Sequence, residues 1–287
     1  QAIGMGLEPV RAIKMASFNT AAYFDLTDRG ALAPGYRADI LVLDDLEGMD
    51  VAQVYAGGKL VFDEDRYVPV RPEAPVPIAP SVHLGPGGRD ALDLSIPAGE
   101  GPARVIGVIP NQVGTQDLRV EPKTEYGLVV ADPEADVLKI AVIERHHGTG
   151  NVGLGLVKGV GLSRGAMAST VAHDSHNLVV IGCSDADMRA AIEAIEHMGG
   201  GQVVVSDGEV RAACPLPIAG LMSDLPLETV REQVHALTEA ARALGCTLPE
   251  PTMTMSFLSL PVIPSLKLTD QGLVDVGKFD FVPLFGD

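Results

Sequence analysis

The chain has 287 residues, 46% of them hydrophobic, and a formal net charge of −17; at about 100–200 residues per domain it is long enough for two or more domains. An acidic balance of this size, with no Lys/Arg-rich segment, argues against a nucleic-acid partner, which requires basic clusters. No apolar stretch approaches the ~20 residues that cross a bilayer, and three cysteines without a CxxC pair favour free thiols in the cytoplasm over a disulfide scaffold or a zinc ribbon.

The first part of the chain predicts one helix followed by strands. A helix is expected over residues 7–18, because Pro9 suits a first helical turn and apolar residues recur at a spacing of three to four. Three strands are predicted to follow at residues 38–43, 51–56 and 59–62. The first of them is expected to be buried, and Gly57-Gly58 predicts a hairpin turn between the other two. The proline-rich stretch 68–88 predicts an extended crossing between two lobes.

The second lobe begins near residue 93 and alternates predicted strands with helices. Its strands are predicted at residues 104–109, 138–143, 152–157, 177–183, 203–205 and 209–211. Asp207-Gly208 predicts a hairpin turn between the last two strands. This alternation indicates an α/β or α+β fold class with a mixed sheet. The apolar tail, residues 252–285, is expected to be ordered, although its pattern does not assign elements.

Two helices are predicted in this lobe. The first follows Ser184, which together with Asp187 resembles a capping box, and it stops at the glycines of residues 199–201. The second runs from about Leu227 to Leu244 with its apolar residues on one face, and the glycine that follows ends it.

Residues 169–177, here called the histidine loop, contain several kinds of polar side chain within a short segment. His173, Asp174, Ser175, His176 and Asn177 fall in five consecutive positions, with apolar, strand-like sequence on both sides. A strand that breaks into a polar segment and resumes is a common frame for reactive groups. These five residues are therefore candidates for lining a substrate pocket. The alternative is a surface turn with satisfied polar side chains.

A second candidate segment comes before a glycine-rich turn at residues 148–151. We expect Glu144, His146 and His147 to form a second wall of one cleft, beside the histidine loop. The alternative is a strand end with a Glu144–Arg145 surface pair, which is worth little. A phosphate-binding loop is not supported, because the turn lacks a lysine and the strand–loop–helix context.

The same residues allow two other kinds of chemistry. His173 and His176 are three positions apart, and they can face one metal ion if Asp174 or a residue of the second segment adds a ligand. No zinc-site spacing is met, so an independent metal site is not favoured. Ser175 as a nucleophile needs a nearby base and an oxyanion hole, and nothing in the sequence places them.

Two parts of the sequence carry family resemblances. Residues 30–43 (GALAPGYRADILVL) resemble the segment after the barrel in amidohydrolase-superfamily enzymes, and residues 9–26 are similar to the last barrel helix. Residues 143–177 closely resemble the C-terminal domain of bacterial adenine deaminases, as do PLPIAGLMS at 215–223 and MSFLSLPVIP at 255–264. The resemblance implies four regions: the last helix of a TIM-type barrel (1–30), part of a small β-sandwich (31–67), a proline-rich connection (68–92) and a C-terminal α/β domain of mixed sheet with helices (93–287).

The resemblance also implies an activity, the hydrolytic deamination of adenine to hypoxanthine and ammonia in purine salvage. It implies a cytoplasmic homo-oligomer with adenine as its substrate and neither a nucleic-acid nor a membrane partner. A binuclear divalent metal site, with Mn or Fe or alternatively Zn, would activate the water. This chain lacks the His-x-His pair that holds the metals in the superfamily. We therefore expect the ligands upstream of Gln1, no cofactor in this chain, and no activity from this chain alone.

On this reading the chain is similar to the carboxyl-terminal portion of an adenine deaminase. The histidine loop and the second segment would shape or cover the active site. The alternative role is a non-catalytic oligomerisation module that buries the apolar tail, residues 252–285, against a neighbouring subunit.

Overall fold

A computed structural model describes residues 1–64, 66–68 and 77–286 and divides the chain into two compact units, Gln1–Val76 and Pro77–Asp287. Residues 69–76 of the predicted proline-rich connection lie outside the described residues. The four predicted region boundaries stay predictions. None of the helices among the described residues has the length and apolar character that a membrane crossing requires.

The first unit contains a short helical segment and an antiparallel sheet. The helical segment comprises α1 (Pro9–Lys14), a π-helical turn (Met15–Asn19) and α2 (Thr20–Tyr23). The sheet has the order β1-β2-β3-β4, with β1 (Ile40–Leu43), β2 (Val51–Ala56), β3 (Lys59–Asp63) and β4 (Arg66–Tyr67). The Glu8 side chain caps α1 by accepting from the backbone N–H groups of Val10 and Arg11. The predicted helix and the hairpin at Gly57-Gly58 are confirmed.

The burial predicted for the first strand is wrong. The strand forms, but its central residue Leu41 is 58% exposed. A continuous apolar run indicates a strand with both faces covered, and no described element covers the Leu41 side chain.

A mixed sheet of eight strands forms the centre of the second unit, in the order β15-β14-β12-β13-β10-β11-β6-β7. Its strands are β6 (Ala103–Val108), β7 (Thr115–Val120), β10 (Val137–Ile143), β11 (Val152–Lys158), β12 (Ala166–Ser169), β13 (Leu178–Gly182), β14 (Gly201–Ser206) and β15 (Glu209–Pro215). Only the β6–β11 pair among them is parallel. Two small sheets flank it, with the orders β5-β9-β8 and β16-β17-β18. Their strands are β5 (Ile96–Pro97), β8 (Thr124–Glu125), β9 (Leu128–Val129), β16 (Leu266–Thr269), β17 (Gly272–Asp275) and β18 (Asp280–Phe281).

Helices cover both faces of the large sheet. The helices of this unit are α3 (Asp185–Met198), α4 (Leu227–Ala243), α5 (Pro251–Ser256) and a 3₁₀ turn (Gly88–Ala91). Residues of β10 alternate between two cores, with Ile140 on the side of α4 and α5 and Ala141 on the side of α3. Ser184 caps α3 by accepting from the Asp187 N–H, and Gly199 ends it with φ at 70°. The predicted capping and the mixed α/β class are confirmed.

The register of the central strands brings two loops to one end of the sheet. Ile143, the last residue of β10, lies opposite Val152 on one side and Leu178 on the other. The loop from β10 to β11 (144–151) and the histidine loop, which joins β12 to β13, therefore leave the sheet side by side. These are the two segments that the sequence analysis selected.

Candidate functional site

The histidine loop is the break between two neighbouring antiparallel strands, as the sequence predicts. β12 ends at Ser169 and β13 begins at Leu178. At the base of the loop, the buried Thr170 hydroxyl donates to Gly220 O (2.7 Å) and accepts from Gly201 N (2.8 Å). The loop is thus anchored to the start of β14 and to the segment after β15.

The two histidines of the loop are half-buried and stand edge to face. The ring centres of His173 and His176 are 5.6 Å apart, and the His173 ring also lies 4.7 Å from the Phe257 ring. Ala172 N donates to Nδ1 of His176 (3.3 Å), so that nitrogen is the acceptor and Nε2 carries the proton of the neutral ring. Burial, then the proximity of His173 and Arg145, lowers the pKa of His176. His176 is therefore a neutral N–H donor near pH 7.

The outer residues of the loop are exposed. Asp174 and Ser175 both face solvent. The Ser175 hydroxyl accepts from Asn177 N (3.5 Å), and the Ser175 carbonyl oxygen lies 2.8 Å from Nε2 of His146. The second contact joins the histidine loop to the second candidate segment.

Glu144 is a buried structural anion. Its side chain is 6% exposed, and its carboxylate accepts from the N–H groups of His146, His147 (2.8 Å) and Thr149 (2.9 Å) and from the Thr149 hydroxyl (3.1 Å). Burial alone raises the pKa of this carboxyl, but these four hydrogen bonds outweigh it and lower the pKa to about 2. Glu144 therefore fixes the turn and is a poor general base.

Arg145 is buried, which contradicts the alternative of an exposed Glu144–Arg145 pair. The residue is 1% exposed. Its guanidinium donates from Nε to His176 O (2.6 Å), from Nη2 to Ala219 O (2.9 Å) and from Nη1 to Ser81 O. A planar group with five donors can bind several carbonyl oxygens at once, which is why arginine suits this place.

The structure brings the two predicted segments together. His146 contacts the histidine loop directly, and its ring centre lies 6.5 Å from that of its exposed neighbour His147. This proximity does not test the substrate-pocket role predicted for these residues, so that role stays a prediction.

The donor groups here do not fit a metal centre. Over residues 1–64, 66–68 and 77–286, no group of three or more His, Cys, Asp or Glu side chains is placed to hold a metal ion. Nδ1 of His176 already accepts a backbone hydrogen bond, and the Glu144 carboxylate already accepts hydrogen bonds from backbone N–H groups of its own turn. The side chains of this part of the chain can bind a ligand, orient it and exclude water from it.

A cavity of about 460 Å³ lies beside the loop, between Asp174-Ser175 and the C-terminal tail. The tail residues that line it come from the turn after α5, the β16–β17 hairpin and β18 with the residue before it: Ser259, Leu260, Pro261, Val262, Thr269, Asp270, Gln271, Val274, Phe279, Asp280 and Phe281. The tail, whose sequence pattern does not assign elements, forms these short elements. We call this cavity the tail pocket.

Sequence reasoning missed Asp270, which connects this cavity to both candidate loops. Its carboxylate accepts from Nδ2 of Asn177 (3.1 Å) and from Nδ2 of Asn151 (3.3 Å). Asn177 is 4% exposed, and its Oδ1 has no hydrogen-bond partner among the described residues. The local sequence Thr-Asp-Gln-Gly signals a turn between strands. No local signal identifies the hydrogen-bond partners of Asp270, because they are distant from it in the sequence.

Comparison with known protein families gives two matches. Residues 112–280 match the adenine deaminase C-terminal domain, and residues 2–61 match the amidohydrolase family. The first match contains both candidate loops and every residue of the tail pocket except Phe281.

Comparison with curated proteins gives matches over nearly the whole chain. It is 51% identical over 286 residues to "Adenine deaminase" of Desulfatibacillum aliphaticivorans, which covers 99% of this chain and 50% of that protein. It is 46% identical over 285 residues to "Adenine deaminase" of Dehalococcoides mccartyi (strain ATCC BAA-2266 / KCTC 15142 / 195), covering 99% of this chain and 49% of that protein. The chain spans about half the length of the curated relatives that it matches.

Proposed function

The chain belongs to the adenine deaminase family, and on that premise we propose that it forms the C-terminal part of an enzyme that hydrolyses adenine to hypoxanthine and ammonia. The observation that carries this proposal is the match of residues 112–280 to the adenine deaminase C-terminal domain. Adenine as substrate, a homo-oligomeric state and a cytoplasmic location belong to the same proposal.

We assign the histidine loop to the wall of the substrate pocket. His176 supports this role because it is a half-buried, neutral ring with an N–H donor at Nε2, and ring nitrogens of a purine are hydrogen-bond acceptors. His173 packs against His176 and Phe257, which limits its motion. Such residues raise the rate by orienting the substrate and excluding water.

The family resemblance implies a divalent metal pair, with Mn or Fe or alternatively Zn, that would supply the activated water. The described residues do not fit that pair, so their part in the reaction is limited to binding, orientation and water exclusion. Proton transfer at the leaving amine is not assigned to Glu144, because its pKa of about 2 makes it too weak a base.

Substitution of His173 in the full-length enzyme tests the role of the loop. We expect His173→Ala to lower kcat/KM for adenine by about 10- to 100-fold through lost orientation, with an unchanged molecular mass in size-exclusion chromatography. His197→Ala is the matched control, since His197 is exposed in the last turn of α3. Equal rates for the two variants would exclude the loop from the substrate pocket.

The alternative role, an oligomerisation module that buries the tail, has less support. Seven apolar side chains of the tail, including Met255, Leu258 and Leu268, already pack in or against the core of the second unit. The tail therefore does not need a neighbouring subunit to bury them. If assembly were nevertheless its role, removing the exposed Phe279 ring would change the molecular mass and leave turnover unaffected.

A further inference from the structure

Residues 81–85, here called the strap, pass beside the loop from β10 to β11 (144–151). They lie outside the helices and strands of the second unit. The His83 N–H donates to the Arg145 carbonyl oxygen (2.8 Å), and the Ser81 carbonyl oxygen accepts from Nη1 of Arg145. The strap therefore binds Arg145 through its backbone and through its side chain.

The strap is itself fixed to the second unit at two points. Leu84 is 4% exposed and belongs to the same buried core cluster as Ile143 and Leu178, which lie at the ends of β10 and β13. The Ser81 hydroxyl donates to the Gly199 carbonyl oxygen (2.7 Å) at the end of α3. Since one anchor lies in the core and the other at a helix end, the strap is a fixed support for the loop beside it.

The closest contact between the strap and this loop joins the backbones of two glycines. A Cβ on Gly85 would lie 2.8 Å from Gly150 N, 2.9 Å from Gly150 Cα and 3.1 Å from Gly148 O. The contact is reciprocal, because a Cβ on Gly148 would lie 3.3 Å from Gly85 N and Gly85 Cα. Backbone atoms cannot rotate away as a flexible side chain can. Any side chain at position 85 must therefore displace the strap or the turn at residues 148–151.

The turn that the strap contacts is connected to both candidate loops. The Glu144 carboxylate accepts from the N–H groups of His147 (2.8 Å) and Thr149 (2.9 Å), so a displaced turn moves the histidine beside it. Arg145, which the strap holds, donates from Nε to the His176 carbonyl oxygen (2.6 Å). The strap thus contacts the groups that hold the second candidate segment and the histidine loop.

We propose that the strap positions the loop from β10 to β11, and through it one wall of the substrate pocket, with Gly85 as the residue that makes the determining contact. This inference rests on the proposed function, because it takes the two candidate loops as walls of that pocket. The strap acts through those loops, and its residues are assigned no contact with the substrate. A misplacement of about 1 Å can lower an enzymatic rate by about 100-fold, so a main-chain support can affect turnover from outside the pocket.

Nuclear magnetic resonance of the histidine side chains tests the positioning without measuring turnover. In the 287-residue chain, Gly85→Ala should shift the imidazole signals of His146 and His147 and leave that of His235 unchanged, since His235 is exposed on α4. Gly127→Ala is the matched control: its φ of 79° is close to the 89° of Gly85, but a Cβ there meets nothing within 4 Å. Both variants therefore carry the strain of alanine at positive φ, and only one carries the collision. Equal spectra of the two folded variants would overturn the proposal.

Turnover of the full-length enzyme is the second measurement. We expect Gly85→Ala to lower kcat/KM for adenine about three- to tenfold and Gly127→Ala to leave it unchanged. Shifted histidine signals with unchanged turnover would support the positioning by the strap and refute the pocket role of the loops, so the two failures are distinguishable.

Ser81→Ala keeps the test decisive if Gly85→Ala does not fold. It removes only the hydroxyl that donates to Gly199 O and introduces neither a collision nor strain at positive φ. We expect it to shift the same two histidine signals in the same direction by a smaller amount. If neither folded variant shifts them, the strap does not position the loop and the proposal fails.

Discussion

Arg145 joins the candidate loops to the rest of the second unit through one guanidinium. It donates to carbonyl oxygens of His176, Ser81 and Ala219, which belong to three separate segments. Gly220, whose φ is 72°, packs directly against this guanidinium, because a Cβ there would lie 2.7 Å from Nη2 of Arg145. The position of the histidine loop thus depends on a side chain outside it.

Removing the guanidinium should strongly destabilise the protein. Arg145→Ala leaves three carbonyl oxygens without their donor, and we expect a loss of about 3 kcal/mol or more in the free energy of unfolding. Arg145→Lys should not restore it, since one ammonium cannot reproduce the planar fork. Urea denaturation measures the loss. The exposed Arg211→Ala serves as control, and equal stability of the two alanine variants would contradict the proposed anchoring.

Glu144 should give the protein part of its acid sensitivity. The folded-state pKa is lowered from 4.5 to about 2, so the stabilisation is fully present above 4.5 and is lost as the pH falls towards 2. Glu144→Gln should therefore lower the unfolding free energy at pH 7 by about 2 kcal/mol and flatten its decline between pH 4.5 and 2. Denaturation curves at several pH values measure both effects. The exposed Glu228→Gln should change neither, and an unaltered acid profile in Glu144→Gln would refute the assignment.

At the scale of elements, the β16–β17 hairpin packs closely on β11. A Cβ on Gly153 of β11 would collide with the Thr269 carbonyl oxygen and lie 3.3 Å from Gly272 N. Both of these are backbone atoms, which cannot move away as a flexible side chain can. Since the hairpin turn carries Asp270, this close contact also positions one wall of the tail pocket.

A single methyl group should separate these two elements. We expect Gly153→Ala to lower the unfolding free energy by about 1–3 kcal/mol through overpacking. Gly155→Ala is a matched control on the same strand, because its Cβ would meet only side chains at 3.6 Å, with an expected cost of less than about 1 kcal/mol. Denaturation of the two variants decides the matter: equal losses would mean that the hairpin is not packed against Gly153.

Elements with local signals were predictable from the sequence. Ser184 and Gly199 mark the two ends of α3 by capping chemistry, and Asp207-Gly208 marks a hairpin, because each signal acts within a few residues. The pairing of Asp270 with Asn177 is not local, and no periodicity reports it. Burial of Arg145 was missed for the same reason, since its acceptors lie 31 to 74 positions away in the chain.

At the scale of the whole molecule, the two units differ in how well they bury their apolar residues. The three clusters of buried core residues all lie in the second unit, from Leu84 onward. In the first unit Ala21 is the one buried apolar residue among those described. The first unit matches the amidohydrolase family, and the second unit matches the adenine deaminase C-terminal domain. The buried core clusters therefore lie in the same unit as the candidate site.

The distribution of donor groups predicts how the 287-residue chain behaves alone. No described cluster of His, Cys, Asp or Glu can hold a metal ion, and metal-activated water is what the family resemblance requires for deamination. We therefore expect less than stoichiometric divalent metal by plasma mass spectrometry and no conversion of adenine to hypoxanthine in an absorbance assay. The full-length adenine deaminase of Desulfatibacillum aliphaticivorans provides the positive control. Stoichiometric metal together with turnover in this chain would show that its own side chains perform the chemistry, and the role assigned to the histidine loop would then have to change from positioning to catalysis.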